Sequence, residues 1–253
     1  MNLRKYTILL TGTIAPNLFS SNINVGLVDS NERLNQYENN IKDFITKTPF
    51  TDIVFIENSG YPFDGEKYSL LAKKYNKRFE FIYLNMTAFQ KNEMIERGKS
   101  YGEALLIDYA MKNSVLIEDD DVIYKITGRI FLKNSKMIVK SKYRHGSEFI
   151  VVWPPTPNWV KTEFFKLRKK DYFDIFENSF DLCEDIKSNS GKCIERIWFN
   201  LAKNSNIKFD TFEFYPILSG TRGSSLCGEK YDETVWNIIK WNIKVWLGWT
   251  KIK

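Results

Sequence analysis

Two cations and a hydroxyl interrupt the apolar stretch VIYKITGRIFL, which occupies residues 122–132. Side chains alternate between the two faces of a β-strand, so Lys125, Thr127 and Arg129 are predicted to project from one face. Buried cations are costly without an anion, and a diphosphate is an anion that arginine contacts in a bidentate manner. Gly128 would let a ligand or another stretch of backbone approach closely. The pattern favours a diphosphate-binding strand, and an edge strand with a solvated polar face is the alternative.

An acidic run, Glu118 to Asp121, directly precedes this strand. Clustered carboxylates hold hard divalent ions such as Mg²⁺ or Mn²⁺, which also bind phosphate oxygens. Asp119 and Asp121 are therefore candidate metal ligands. The alternative is a solvated acidic turn, because one short cluster of like charges is also typical of an exposed loop.

Small or polar residues end the first two predicted strands: Thr11, Gly12, Thr13, Glu57, Asn58 and Ser59. In a parallel sheet, ligands bind beyond the carboxyl ends of the strands, so these residues are candidates for ligand binding. Asn, Ser and Gly also end strands for local backbone reasons, and turn chemistry is the alternative.

Glu195 lies beside Arg196 on a predicted helix over residues 191–204. A carboxylate near a cleft can act as a general base or stabilise a charge, whereas a glutamate beside an arginine is often only a surface ion pair. The chain has one histidine, His145, and no partner motif for a catalytic triad or a zinc site. The P-loop and dinucleotide-binding glycine motifs are also absent from the sequence, which disfavours simple nucleotide hydrolysis and dinucleotide redox chemistry.

Strand-like and helix-like segments alternate along the first half of the chain. Strands are predicted over residues 6–13, 51–60 and 79–85, and helices over 31–48, 66–75 and 99–114. This alternation predicts an α/β fold, a single Rossmann-type domain with a mostly parallel sheet. In the second half, a helix of mixed charge is predicted over residues 160–179.

The totals suit a folded protein with an anionic partner. The chain has 253 residues, a net charge of +6 and 15% aromatic residues. Nucleic acid, phosphorylated small molecules and an acidic membrane all fit that charge, but a large share of the basic residues lies in the tail, which disfavours nucleic acid. Three scattered cysteines do not make a disulfide framework, so the reducing cytoplasm is the expected compartment.

The C-terminal segment, residues 231–253, is basic and rich in tryptophan. Its aromatic and cationic residues are candidates for membrane contact: Trp236, Lys240, Trp241, Lys244, Trp246 and Trp249. An amphipathic helix of this composition can lie at a membrane interface, with lysine facing anionic lipid. The alternative is a terminal helix that docks on the core or in an oligomer interface.

Taken in order, TGT, ENSG, YGEALLI, EDDDVIYKITGR and GKCIERIW resemble a group of bacterial glycosyltransferases that assemble capsule, lipopolysaccharide or other surface polysaccharides. The resemblance covers roughly residues 5–230 and implies a GT-A-like fold that binds a nucleotide-sugar donor at the strand ends. It also implies that Glu195 lies near the acceptor. GT-A enzymes usually hold a divalent ion with an Asp-x-Asp motif, which Asp119 to Asp121 fits formally. Alternatively, the KITGR strand occupies that place, its cations replace the metal, and the acidic run lies at the opposite end.

The resemblance therefore predicts a hexosyltransferase that moves a sugar from a nucleotide diphosphate donor, a UDP-sugar, to a lipid-linked or growing saccharide acceptor. It would be a peripheral protein at the inner face of the cell membrane, with Mn²⁺ or Mg²⁺ as an optional cofactor. The alternatives are a nucleic-acid-binding protein and a non-catalytic, membrane-associated binding module.

Overall fold

The computed structural model describes residues 5–16, 27–140, 149–152, 158–186, 191–221, 231 and 235–247. The strands are β1 Thr7–Gly12, β2 Asp52–Glu57, β3 Arg78–Tyr83, β4 Val122–Thr127, β5 Ile130–Leu132, β6 Phe149–Val152, β7 Lys161–Arg168, β8 Phe209–Thr211 and β9 Leu218–Gly220. The helices are α1 Ser30–Lys47, α2 Gly65–Lys74, α3 Ala88–Arg97, α4 Lys99–Asn113, α5 Ser135–Lys140, α6 Lys169–Ile175, α7 Ile194–Lys203 and α8 Val235–Trp246, with a 3₁₀ helix at Ser179–Leu182.

A seven-stranded sheet in the order β3-β2-β1-β4-β7-β6-β8 forms the centre of the molecule. β7 runs antiparallel to both of its neighbours, and all other pairings in this sheet are parallel. The carboxyl ends of β1, β2 and β4 therefore meet at one edge, where Thr11 pairs with Ile56 on one side and with Thr127 on the other. Because β7 runs in the opposite direction, its first residues lie at the same edge.

Helices cover both faces of the sheet. Leu9 and Ile123 pack with α4 and α7 on one face, whereas Leu10 and Ile126 pack with α1 on the other. Every residue of β1 and β2 is buried, as expected for central parallel strands that are covered on both sides. This explains why these strands read as continuous apolar runs. The predicted fold class is confirmed.

The prediction of a mixed-charge helix over residues 160–179 is wrong. Residues Lys161–Arg168 form β7, which pairs with β4 and β6, and a helix begins only at Lys169. Phe164 and Phe165 bury their rings on opposite faces of the sheet. In a strand whose two faces are both buried, apolar and polar residues do not alternate clearly. The charged residues near the ends of this strand therefore resembled the pattern of a helix.

The last described helix, α8, packs against the domain along one side. The rings of Trp241 and Tyr215 lie with centroids 5.2 Å apart, and the Asn242 side-chain oxygen accepts a hydrogen bond of 3.0 Å from the backbone N–H of Tyr215. Val245 is buried. Within the described ranges, none of the helices combines the length and the apolar character that crossing a bilayer requires.

Candidate functional site

A cavity of about 210 Å³ opens at the edge where the carboxyl ends of β1, β2 and β4 meet. Several of the residues predicted from sequence line it: Thr11, Gly12, Thr13, Asn58, Thr127, Arg129 and Glu195. The predicted residues Glu57, Ser59, Lys125 and Gly128 are not among the residues that line it. The structure therefore brings the strand ends and the α7 carboxylate to one place.

Two buried arginines face this cavity. Arg129 and Arg33 are each only 4% exposed. One terminal nitrogen of Arg129 donates to the Gln36 side chain at 3.3 Å, and its Nε has no hydrogen-bond partner. Arg33 donates to the backbone oxygens of Thr13 and Leu27 at 2.8 and 3.0 Å.

Neither of these guanidinium groups forms an ion pair with a carboxylate in the described part of the chain. Burial is the main cause that lowers the pKa of Arg33; the nearby positive charge of Arg129 lowers this pKa further, whereas Tyr37 and Glu57 act in the opposite direction. Buried cations without a counter-charge are unfavourable, so this side of the cavity suits an anion.

Tyr37 of α1 supports the loop beneath the arginines and explains two glycines. Its hydroxyl accepts a hydrogen bond of 3.0 Å from the backbone N–H of Thr13. A Cβ at Gly12 or Gly128 would lie 2.9 or 3.0 Å from the Tyr37 ring. The Gly128 Cβ would also lie 3.1 Å from the Thr11 carbonyl oxygen. Gly128 therefore allows close packing of side chain and backbone, and it does not itself line the cavity.

Glu57 organises two loops from within. Its carboxylate is fully buried and accepts hydrogen bonds from the backbone N–H groups of Ile14 and Ser59 at 2.9 and 2.8 Å. The Ser59 hydroxyl donates to the same oxygen. Asn58, which does line the cavity, accepts a bond of 2.7 Å from the Thr13 hydroxyl. The prediction that Glu57 and Ser59 contact the donor directly is therefore corrected. The Glu57 carboxylate faces inward, where it binds backbone N–H groups, and both residues support the loops around the cavity.

Lys125 is fully buried and lies below the cavity. Its ammonium group forms an ion pair with Glu103 of α4 and donates to the Thr162 carbonyl oxygen at 2.7 Å. Lys125 precedes Thr127 by two residues, which corresponds to about 7 Å along a strand. The expectation that Lys125 contacts the donor directly is therefore corrected, since this cation already has an anionic partner. It holds Glu103, which lines the cavity.

Three carboxylates line the side of the cavity opposite the arginines: Glu103 on α4, Glu163 on β7 and Glu195 on α7. Burial, followed by the negative charge of Glu103 and then that of Glu163, raises the pKa of Glu195 to about 7. The Thr162 hydroxyl lies 3.5 Å from a Glu195 oxygen. A carboxyl group with such a pKa can take up or release a proton near neutral pH, as a general base must.

The acidic run lies at the far end of β4. Lys5 forms ion pairs with Glu118 and Asp121 at 2.8 and 2.6 Å, and Lys169 pairs with Asp119 at 3.0 Å. β4 starts at Val122 and is six residues long, so about 20 Å of strand separates this run from the cavity edge. The prediction that Asp119 and Asp121 hold a donor-site metal is corrected, because strand direction carries them away from the site.

The described residues around the cavity do not fit a divalent ion. Across the described ranges, no group of three or more His, Cys, Asp or Glu side chains is arranged to hold a metal. The Glu103 carboxylate is paired with Lys125, and the end of β4 presents Arg129 rather than a carboxylate. The side chains on the arginine side of the cavity therefore favour an anion over a metal cation.

Sequence reasoning missed Arg33, Tyr37, Glu103 and Glu163. One signal was available, because Arg33 stands four residues before Tyr37 on the apolar stripe of a predicted helix. A cation on such a stripe is unusual and marks a site. Glu103 likewise interrupts an otherwise buried helix. Glu163 gave no signal, because the sequence pattern predicts a helix where β7 lies.

The exposed side of α8 is apolar, with Trp236 and Trp246 70% and 79% exposed. Four aliphatic side chains are also exposed on or next to this helix: Val235, Ile239, Ile243 and Leu247. Lys240 is exposed, and Lys244 is partly exposed. Trp241 packs on Tyr215 and is only partly exposed, and its membrane contact stays a prediction. Trp249 and His145 lie outside the described residues.

No protein-family model matches the sequence, and comparison with curated proteins gives no significant match. Among solved structures, the glycosyltransferase GlyE from Streptococcus pneumoniae TIGR4 is similar to this chain, with a TM-score of 0.55 and 10% sequence identity. The match covers 83% of this chain and 45% of GlyE, so this chain spans about half the length of that protein. The apo form of GlyE gives a TM-score of 0.53 at 10% identity and covers 81% and 45% of the two chains.

A nucleoside-diphosphate-sugar pyrophosphorylase from Vibrio cholerae RC9 reaches a TM-score of only 0.47 at 13% identity, with 81% of this chain and 91% of that chain covered. At such identities the likeness to GlyE concerns the fold alone. This chain has a GT-A-like α/β fold with a mostly parallel central sheet.

Proposed function

We propose that this protein is a glycosyltransferase that takes its sugar from a nucleotide diphosphate sugar, a UDP-sugar. The observation that carries the proposal is the pair of buried arginines, Arg33 and Arg129, that face the cavity without a carboxylate partner in the described chain. Guanidinium groups form short, charge-assisted hydrogen bonds with phosphate oxygens, and the unpartnered Nε of Arg129 is available for one. Both cations would also stabilise the diphosphate as it leaves.

The carboxylate side of the cavity supplies the remaining chemistry. Glu195 can accept the proton of an acceptor hydroxyl, because its pKa of about 7 leaves much of it ionised at neutral pH. Glu103, which pairs with Lys125, can stabilise the positive charge that develops on the sugar in an oxocarbenium-like transition state. No step requires a metal ion, which agrees with the donor set around the cavity.

The exposed face of α8 supports a role at a membrane surface, where the acceptor would be lipid-linked. Trp236 and Trp246 can lie at headgroup depth while Lys240 faces anionic lipid. The protein would then be peripheral at the inner face of the cell membrane and act in surface-polysaccharide assembly. A second copy of this chain is the other occupant that the apolar face would suit.

The donor proposal is tested by UDP binding and by UDP release from a panel of nucleotide sugars, with and without EDTA. Arg129→Ala is expected to weaken UDP binding about 10- to 100-fold, because a hydrogen bond to a charged group contributes about 1.5–3 kcal/mol. Lys74→Ala, at an exposed position on α2, is the control for loss of one positive charge. Wild-type affinity in Arg129→Ala would refute the donor site, and complete loss of activity with EDTA would refute metal independence.

The membrane proposal is tested by sedimentation with vesicles. The double variant Trp236→Ser, Trp246→Ser is expected to lose binding to vesicles that contain phosphatidylglycerol and to keep UDP binding. Phe89→Ser, at another exposed aromatic side chain, is the control. Undiminished vesicle binding by the double variant would contradict the proposal. The proposal would also be contradicted if the wild-type protein were a dimer and the double variant, but not Phe89→Ser, were a monomer.

A further inference from the structure

The cavity carries opposite charges on its two sides. Arg33 belongs to α1, and Arg129 reaches back to Gln36 of the same helix. Glu103, Glu163 and Glu195 lie on α4, β7 and α7, which form the other side. A ligand that places its diphosphate against α1 therefore places its sugar among the carboxylates.

Among the residues that the structure describes, the carboxylate side has no buried cation left to receive another anion. Lys125 is fully buried, but its ammonium group already binds Glu103 and the Thr162 carbonyl oxygen. Lys161 lies 3.7 Å from Glu163 and serves that carboxylate. Lys99 also lines the cavity, at an exposed position where water screens its charge.

From this arrangement we infer that the cavity takes an uncharged sugar and rejects sugars that carry a carboxylate, such as a uronic acid or a sialic acid. This inference rests on the proposed function. Sugar hydroxyl groups can donate hydrogen bonds to carboxylate oxygens, so a neutral sugar satisfies the acidic side. A sugar carboxylate would meet like charges in a partly buried place, and its removal from water would not be offset. The raised pKa of Glu195 is a further sign that another negative charge is unfavourable there.

The test compares donors that differ only in the sugar's terminal carbon: UDP-glucose against UDP-glucuronate, and UDP-galactose against UDP-galacturonate. Each dissociation constant is measured by calorimetry with the whole chain, and UDP alone is included. We expect the uronate of at least one pair to bind at least 10-fold more weakly than its neutral partner. Glu163→Gln, which keeps the shape of the side chain and removes its charge, is expected to narrow that ratio several-fold while UDP affinity stays within about twofold of the wild-type value.

The outcomes separate the two proposals. If UDP binds but the neutral and acidic sugars of both pairs bind equally, or the acidic sugars bind more tightly, the inference is overturned and the diphosphate site stands. The inference would also be overturned if the ratio of the two dissociation constants were unchanged in both Glu163→Gln and Glu103→Gln. The carboxylates would then not be the cause of the discrimination between neutral and acidic sugars. If UDP itself fails to bind, both the proposed function and this inference are refuted.

Discussion

Glu195 allows a quantitative prediction, because its surroundings disfavour its charged form. Burial and the charges of Glu103 and Glu163 raise its pKa from 4.5 to about 7. Each pKa unit of difference between the folded and unfolded protein corresponds to about 1.4 kcal/mol. Ionised Glu195 therefore lowers the free energy of unfolding by up to about 3 kcal/mol, a maximum because the side chain is partly open to the cavity. Glu195→Gln removes this penalty and keeps the shape of the side chain.

The effect has a defined pH window. Well below pH 4.5 the carboxyl group is protonated in both states, so wild type and Glu195→Gln are expected to have nearly equal stability. Between pH 4.5 and about 7 Glu195 binds more protons in the folded protein than in the unfolded chain, so the stability of the wild type falls relative to that of Glu195→Gln as the pH rises. Above about pH 7 the loss is complete, and the variant is expected to be more stable by up to about 3 kcal/mol.

Urea unfolding monitored by tryptophan fluorescence from about pH 5 to about pH 8 measures this difference. Glu66→Gln, at an exposed position on α2, controls for the loss of one carboxylate and should give a small difference at all pH values. Equal stability of Glu195→Gln and wild type at pH 8 would refute the reasoning.

The same pKa predicts the pH dependence of the reaction. If Glu195 accepts the acceptor's proton, kcat/KM is expected to rise with pH through about 7. A flat profile would exclude that role.

Three further substitutions test individual contacts. Lys125→Met should lower the free energy of unfolding by about 1–3 kcal/mol, because Glu103 loses its ion pair, and Glu103→Gln added to it should recover part of the loss in urea unfolding; no recovery would mean that the pair is not coupled. Gly128→Ala should cost about 1–3 kcal/mol, since its methyl group would press on the Tyr37 ring, and an unchanged melting temperature would contradict that packing. Asp119→Asn should leave UDP affinity unchanged in calorimetry, whereas weaker binding would return the acidic run to the site.

Local patterns were sufficient for the architecture and for much of the cavity lining. Alternating strands and helices imply a parallel sheet, and the carboxyl ends of parallel strands share one edge. Thr13, Asn58, Thr127 and Arg129 could therefore be assigned to one place without knowledge of any contact. The sequence identified Glu195 as a candidate catalytic residue but did not predict its distance from the strand ends, because that distance depends on how α7 packs.

The sequence by itself determined the chain's fold class, because the alternation of strands and helices follows from short-range periodicity. It predicted Arg129 on the same face as Lys125, which is wrong: β4 ends at Thr127, and Arg129 reaches α1 on the opposite face of the sheet from α4. Only the tertiary structure decided how deep each polar side chain lies and which partner it meets. Lys125 and Thr127 alternate identically along the strand, yet one binds Glu103 inside the protein and the other lines the cavity. The acidic run is adjacent to β4 in sequence and lies at its far end in space. Depth, strand direction and ion pairing depend on contacts between residues distant in sequence, such as Lys125 and Glu103, which are separated by 22 positions. A local pattern carries no information about such contacts.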